Sequence, residues 1–414
     1  MGLHVSNEKL DVFEEPIIDY SLASLQEYTY KPYGSPYFKN SNIVHIPINF
    51  QDLILNIADS YIYVEGTFTP SDTTKPCYLS NNALAFLSQE ISLQMGGEKV
   101  YGVRNPGITS TIKTMVSHGK SAIHTLLCSG WTLSAENSAI WDVKSKVFSG
   151  RIPLKYIMGF PEDYKKRVLN IKHELLLVIA RSFKNCYVGE CHAELTISKI
   201  EWNVPHIVPD DRYKVKLLQR LNKHVSSRIK VAFRSWDLYE LPSLRSTSSD
   251  GWAIRTTSKL ERPLFVIIGF QDSTVEENHS MDITKFINAN VNSIRLKLNN
   301  QVFPYERWNL NFGKKLNTAD YYVFENFQKT YYNRNIPVPM MDIKEFNDNP
   351  LFVIDCSHQP DHLQLSTVDI SLEFETRKSA FPFHTKVYAL VIHDSCVSYN
   401  AIDGSIQNGL IRSY

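Results

Sequence analysis

This sequence has little that points to catalysis, to membranes or to an oxidising compartment. Its 44 Lys and Arg are offset by 43 Asp and Glu, so the formal net charge is +1. A balance so close to neutral supplies no global attraction to nucleic acid or to an anionic membrane, and it is compatible with self-association. The six cysteines, Cys77, Cys128, Cys186, Cys191, Cys356 and Cys396, are scattered and never form a Cys-x-x-Cys pair. They provide neither a disulfide framework nor a four-cysteine zinc spacing. The longest apolar run, Leu175-Leu176-Leu177-Val178-Ile179-Ala180, falls far short of the ~20 residues that cross a bilayer. No Gly-rich phosphate loop and no His-x-His pair occurs. The N-terminal stretch carries Glu8, Asp11, Glu14 and Glu15 without the apolar core of a secretory signal. The expectation is a soluble, reduced protein made inside the cell, with no stable membrane insertion and no cofactor.

What is abundant is aromatic: 22 Tyr and 21 Phe, with 19 Pro to punctuate turns. Strands favour β-branched and aromatic side chains, so the balance leans to an all-β chain. The clearest block runs from Val291 to Tyr399. Ile294–Leu298 alternates apolar and polar residues, Asn299-Asn300 turns, and Gln301-Val302-Phe303 returns. An aromatic helix is expected over Asn317–Tyr332. Then Leu351–Asp355, Val368–Thr376 and Val387–His393 read as strands. In the second of these, Val368, Ile370, Leu372 and Phe374 point one way and Asp369, Ser371, Glu373 and Glu375 the other, the period of a strand with one wet face. Val387–Ile392 has no alternation and predicts a strand covered on both faces.

The same order of parts occurs earlier. Tyr61–Phe68 is a strand, Ile91–Met95 alternates, Gly96-Gly97 suits a two-residue hairpin turn, and Glu98–Tyr101 returns. A partly helical stretch over Ile108–His118 follows, and Val168–Ala180 and Ala193–Trp202 close the unit. Tyr61 and Ile91 stand 30 residues apart, as do Leu264 and Ile294. Order and spacing, not residue identity, argue for one unit used twice. The predicted organisation is an extended arm over 1–40, a first unit over 41–210, a basic helical linker over 211–230, a second unit over 231–400 and a tail over 401–414. Many strands, Pro/Gly-rich turns and long helical insertions fit two tandem jelly-roll β-sandwiches with short helical insertions better than immunoglobulin-like sandwiches.

The second unit resembles the C-terminal half of double jelly-roll major capsid proteins of the Polinton-like and adintovirus group of eukaryotic DNA viruses and virus-like elements. The resemblance is carried by Leu298-Asn299-Asn300, Pro304-Tyr305-Glu306, Leu310-Asn311-Phe312, the Tyr321–Tyr332 helix and Asn349–Ser357, with Val368–Phe374 and Tyr388–Asp394 completing it. Tyr61–Thr67 is a weaker match in the first unit. The resemblance implies a structural protein of the virion with no enzymatic activity. It implies a homotrimer whose six jelly rolls form a pseudo-hexagonal capsomer, packed against neighbouring capsomers in an icosahedral shell around double-stranded DNA, with a single jelly-roll penton protein at the vertices. Two similar units per chain, times three chains, also give a near-sixfold outline from a threefold operator. A carbohydrate- or cell-surface-binding jelly-roll module and a cupin-type enzyme are the alternatives.

Candidate chemistry is sparse. Asp369, Glu373 and Glu375 share a strand face, which a solvated surface explains without a pocket. His393-Asp394-Ser395 names a hydrolytic triad, but neighbours on a strand point to opposite faces and cannot converge. His358 and His362 are four apart across Pro360, which opposes a helix. Cys186, Cys191 and His192 offer three ligands in seven residues with no fourth. Tyr321, Phe324, Phe327 and Tyr331 at helical spacing read as core. The segment after residue 211 carries Arg212, Lys214, Lys216, Arg220, Lys223, Arg228 and Lys230 without an acid among them. Val215, Leu218 and Leu221 lie at helical spacing there. Clustered cations need no base readout to neutralise phosphates, so these seven are the candidate contacts to packaged DNA, with Lys165-Lys166-Arg167 as an adjunct. Met1-Gly2 followed by Ser6 fits the permissive N-myristoylation pattern at Gly2, without a basic cluster as a second anchor.

Overall fold

The computed structural model describes residues 22–34, 38–49, 54–132, 138–223, 228–254, 263–299, 301–359 and 368–409. Gly2 and His362 lie outside them. Sixteen principal strands divide into two sets of eight. The first set is β1 (Leu22–Tyr30), β2 (Ile43–Ile48), β3 (Tyr61–Pro70), β4 (Ser88–Met95), β5 (Glu98–Arg104), β6 (Val147–Pro153), β7 (His173–Ile179) and β8 (Ala193–Pro209). The second is β9 (Ile229–Leu241), β10 (Ser249–Ile254), β11 (Pro263–Asp272), β12 (Val291–Leu298), β13 (Gln301–Phe303), β14 (Phe352–Asp355), β15 (Ile370–Thr376) and β16 (Thr385–Tyr399).

Pairing repeats between the sets. The first forms the sheets β1-β8-β3-β6 and β2-β7-β4-β5, the second β9-β16-β11-β14 and β10-β15-β12-β13. Within each set the order is first-eighth-third-sixth and second-seventh-fourth-fifth, the strand order of a jelly roll. Gly96 and Gly97, at φ 56° and 87°, make the β4–β5 turn, and Asn299, at φ 52°, opens the β12–β13 turn. Among the described residues five α-helices longer than four residues are inserted: α1 (Pro106–Ser117), α2 (Gly159–Asp163), α3 (Asp211–Lys223), α4 (Thr318–Tyr332) and α5 (Ile343–Asp348).

Four segments depart from the sequence expectation. Residues 22–30, placed in an extended arm, are the first strand of the first roll and pair with β8 from Leu22↔Pro209 to Tyr30↔Trp202. As an edge strand with Leu25 and Tyr28 exposed, β1 has no covered face to impose period 2 on its sequence. β8 extends past Trp202 through Pro205 to Pro209, where proline had argued for a boundary. The expected strand 168–180 is two: Val168–Leu169 pairs with Ile54–Leu55, and Asn170, at φ 45°, breaks the chain before β7. Val368 precedes β15 rather than belonging to it.

The sheet β9-β16-β11-β14 is a wall with both faces buried. Val387, Ala389 and Val391 of β16 join the second roll's interior with Val266, Ile268 and Phe270 of β11 and Phe352 and Ile354 of β14. The alternate residues Tyr388, Leu390 and Ile392, with Phe265, Ile267 and Val353, belong to the cluster that continues into the first roll. This double covering explains the unbroken apolar run of β16. β15 covers one face only, and Ile370, Leu372 and Phe374 point in while Ser371, Glu373 and Glu375 point out.

His173 on β7 is fully buried, with Nδ1 2.7 Å from the Ile171 carbonyl oxygen. Burial pushes its imidazole down to about 4. Its neutral form is favoured in the fold, so stability is intact above pH 6.5 and declines as pH falls through the window between 6.5 and about 4. The expected loss from this group is about 3 kcal/mol. Urea midpoints at pH 7 and 4.5 check it: His173→Gln should show a smaller acid-induced drop than the wild type.

Candidate functional site

The sequence-level candidates for catalysis do not assemble. Glu373 and Glu375 are matched by cations: Arg295 Nη2 on the neighbouring strand β12 lies 3.7 Å from Glu373 and 4.0 Å from Glu375, and Lys297 and Arg307 contact them as well. Asp369 is exposed, and its backbone N–H donates to Asn299 Oδ1. His393 places Nε2 2.9 Å from Asp237 Oδ2 on β9 and Nδ1 2.9 Å from the Asp394 backbone carbonyl oxygen, an ion-pair and main-chain setting rather than a triad. Among the described residues no three of His, Cys, Asp and Glu gather as a metal site. Cys186 is fully buried and Cys191 partly so, both as free thiols. Phe324, Phe327 and Tyr331 of α4 are buried, and Phe327 packs edge-on to Phe265 of the wall sheet at 5.0 Å.

What the fold does assemble is a polar network inside the seam between the rolls. All twelve residues of α1 are buried, Lys113 among them at 2% exposure. Lys113 Nζ donates to Glu162 Oε1 at 2.9 Å, Ser117 Oγ at 2.8 Å and Tyr332 OH at 2.9 Å. It also lies 4.5 Å from the Trp236 ring and 4.3 Å from the Tyr331 ring. Glu162 accepts from Tyr331 OH at 2.7 Å and from Tyr332 OH. Beside it, Arg234 of β9 donates through Nε and its backbone N–H to Asp163 Oδ2, each at 2.8 Å, and through Nη1 to the Tyr331 carbonyl at 2.7 Å. Its guanidinium carbon stands 3.4 Å from the Tyr331 ring centre.

Each roll therefore presents polar groups to the other: the charged Lys113, Glu162 and Asp163 from the first, and the charged Arg234 with the neutral phenols of Tyr331 and Tyr332 from the second. Burial lowers the Lys113 ammonium and Glu162 opposes it. Burial drives the Tyr331 and Tyr332 phenols far upward, and Glu162 adds to both, so they remain donors. Gly159 permits the close approach: a Cβ there would lie 1.7 Å from the Arg234 carbonyl oxygen. Asp320 of α4 is also fully buried, and burial pushes its carboxyl well upward, favouring the neutral acid. The sequence reading missed this network, whose members lie up to 219 positions apart. Its one local signal was a lysine inside the otherwise uncharged stretch Ile108–Val116.

The basic candidates lie elsewhere. Arg212, Lys214, Lys216 and Arg220 are exposed on α3. Arg212, Lys216 and Arg220 recur at i, i+4 and i+8 and so share one helix face, with Lys214 on the other side. Lys223 ends the helix, and its side chain lies outside the described residues. Arg228 is half-buried and donates to Ser405 Oγ at 3.1 Å, while Lys230 is exposed on β9. Lys165, Lys166 and Arg167 are exposed between α2 and β7. The apolar residues Val215 and Leu218 of α3 are exposed too, and only Leu221, the last of that stripe, packs partly buried against the core.

Removing one partner from a buried ion pair leaves the other charge uncompensated, at a cost of about 3–5 kcal/mol. Lys113→Met should lower the urea-unfolding stability by that amount. The double variant Lys113→Met/Glu162→Gln, which removes both charges, should recover at least half of it. A double variant no better than the single would mean that the lysine acts through packing alone.

No curated protein sequence matches the chain. Several solved structures share its fold. The Sputnik virophage structure aligns at a TM-score of 0.62 with 11% identity, covering 100% of this chain and 94% of that one. The mavirus major capsid protein aligns at 0.60 with 11% identity, covering 100% and 96%. The Faustovirus major capsid protein aligns at 0.60 with 8% identity, covering 94% of each chain. At such identities the likeness concerns the fold alone. In sequence, residues 77–397 match the double jelly roll-like domain. That span is well over half of the chain and includes the helices and wall sheet of the seam, and the chain belongs to the double jelly roll-like domain family.

Proposed function

We propose that the chain is a major capsid protein of the Polinton-like and adintovirus group, without enzymatic activity, located in the virion. Three copies form a capsomer. The observation that carries this reading is the repeated eight-strand order in one chain, aligned over nearly the full length of two viral major capsid proteins. A seam with a buried salt-bridge network makes the two rolls a single rigid building block. Three such blocks around a threefold axis present six similar rolls and a near-hexagonal outline. Aromatic residues such as Tyr33, Tyr305 and Phe383 are largely exposed on the isolated chain, a residue type enriched where subunits meet. Capsomers tile with their neighbours, and a single jelly-roll penton protein closes the vertices.

The genome-facing surface in this proposal is α3 with its neighbours Arg228 and Lys230. Arg212, Lys216 and Arg220 rise about 6 Å per step along one helix face, a ladder suited to successive phosphates. Contact of this kind has no base readout and weakens with salt.

Two measurements test the reading. Light scattering on a sizing column, with negative-stain microscopy of the peak, should give a particle of three times 47.6 kDa with a hexagonal outline. A monomer unchanged across salt and pH would sink it. For the DNA surface, the triple variant Arg212→Ala/Lys216→Ala/Arg220→Ala should bind random duplex more weakly and lower the log–log salt slope by about 3. An unchanged slope would move the genome contact off α3.

A further inference from the structure

Beside the buried network the two rolls enclose a cleft of ≈ 450 Å³, within the size range of small-molecule sites. Asn56 and Asp59, ahead of β3, line one side. Lys155, Lys165 and Arg167 come from the chain between β6 and β7, and His118 follows α1. Tyr332 and Arg334, at the end of α4, bring in the second roll.

The charges here do not balance. Four cations share the cleft with two carboxylates, and both carboxylates are engaged. Asp59 accepts from Asn56 Nδ2 at 2.7 Å and stands 3.7 Å from Lys155 Nζ. Glu162 is held by Lys113 and the two tyrosines. Among the described residues Lys165, Arg167 and Arg334 have no carboxylate within 4 Å. Burial first, and then the charges of Lys113, Arg334 and Lys155, push the His118 imidazole down to about 3, so it stays neutral in the cleft wall. Asn56 is 3% exposed, and its Oδ1 has no partner among the described residues. It is an acceptor left for a hydroxyl or a water.

We propose that this cleft binds an anion carrying two or more phosphoryl groups, held by Lys165 and Arg167 of the first roll and Arg334 of the second. A monovalent anion would leave most of this charge uncompensated. The guanidinium forks of Arg167 and Arg334 match phosphate oxygens in pairs. Because the ligand would touch both rolls, binding tightens the seam and stabilises the folded chain by mass action. The site does not depend on the capsid reading. The phosphates could belong to a nucleic acid strand or to a free polyphosphate, and the two sources separate experimentally.

The test is calorimetry and thermal unfolding of the intact protein at low salt, with inorganic tripolyphosphate, orthophosphate and a short duplex DNA. Tripolyphosphate should bind more tightly than orthophosphate and, near saturation, raise the melting temperature by about 3 °C. Lys165→Ala/Arg167→Ala and, separately, Arg334→Ala should weaken tripolyphosphate at least tenfold. Lys216→Ala/Arg220→Ala on α3 should leave it unchanged. The Lys165/Arg167 pair lies on an exposed segment, so its result stands even if Arg334→Ala fails to fold. If duplex DNA displaces tripolyphosphate and is weakened by the same cleft variants, the source is nucleic acid; if it does not compete, the source is a free polyanion. No binding, or equal weakening by the α3 variant, would overturn the proposal.

Discussion

Burial of one sheet on both faces is the constraint from which the architecture follows. β9-β16-β11-β14 cannot be a solvent-facing half of a sandwich, because β16 is apolar at successive positions from Val387 to Ile392. One face has to be filled by the second roll's own opposite sheet, and the other by something else. The chain supplies that second cover with the insertions between the fifth and sixth strands of each roll: α1 from the first, α4 and α5 from the second. α1 and α4 run 12 and 15 residues, and α4 places Phe327 and Tyr331 against Phe265 of the wall. Two rolls that share a wall cannot reorient without exposing it, which is costly at roughly 25 cal/mol per Å² of apolar surface.

A purely apolar seam would be sticky but tolerant of sliding. The Arg234–Asp163 pair and the Tyr331 and Tyr332 hydroxyls on Glu162, which cross from one roll to the other, change that. Buried ion pairs contribute little net stability, since desolvation offsets the attraction, but a misaligned one leaves a bare charge in a dry environment. The seam therefore has one low-energy register, in which Glu162 meets a cation from α1 and two phenols from α4. Specificity of this kind matters more to a building block than to a lone enzyme, because an error in the angle between rolls would be multiplied by every contact between copies.

The legible parts of the fold were those with one dominant local cause. β12, β15 and the two hairpins were readable because period 2 and turn residues such as Gly96-Gly97 are local signals. The double covering of β16 was readable from its lack of alternation, and α4 from its aromatic spacing. β1 was not readable, because an edge strand with mostly exposed side chains bears no pattern, and the end of β8 was hidden by Pro205 and Pro209. Neither the buried network nor the cleft was legible. Each joins residues from chain segments more than a hundred positions apart, and nothing in the local sequence of Glu162 or Arg334 distinguishes it from a surface charge.

That division also accounts for how a shared fold survives at 8–11% identity with the mavirus and Faustovirus proteins. Strand order and double-sided burial constrain the pattern of apolar and polar positions, not the residues that fill it, and cores accept many fillings of similar volume. The polar seam is different. Its geometry depends on particular side chains, since Arg234 both donates to Asp163 and stacks on Tyr331, and neither lysine nor a neutral residue does both. A chain could keep the two rolls and replace this network only by changing several distant positions together. The wall sheet thus tolerates any change that keeps its apolar pattern, whereas the charged seam depends on its particular side chains.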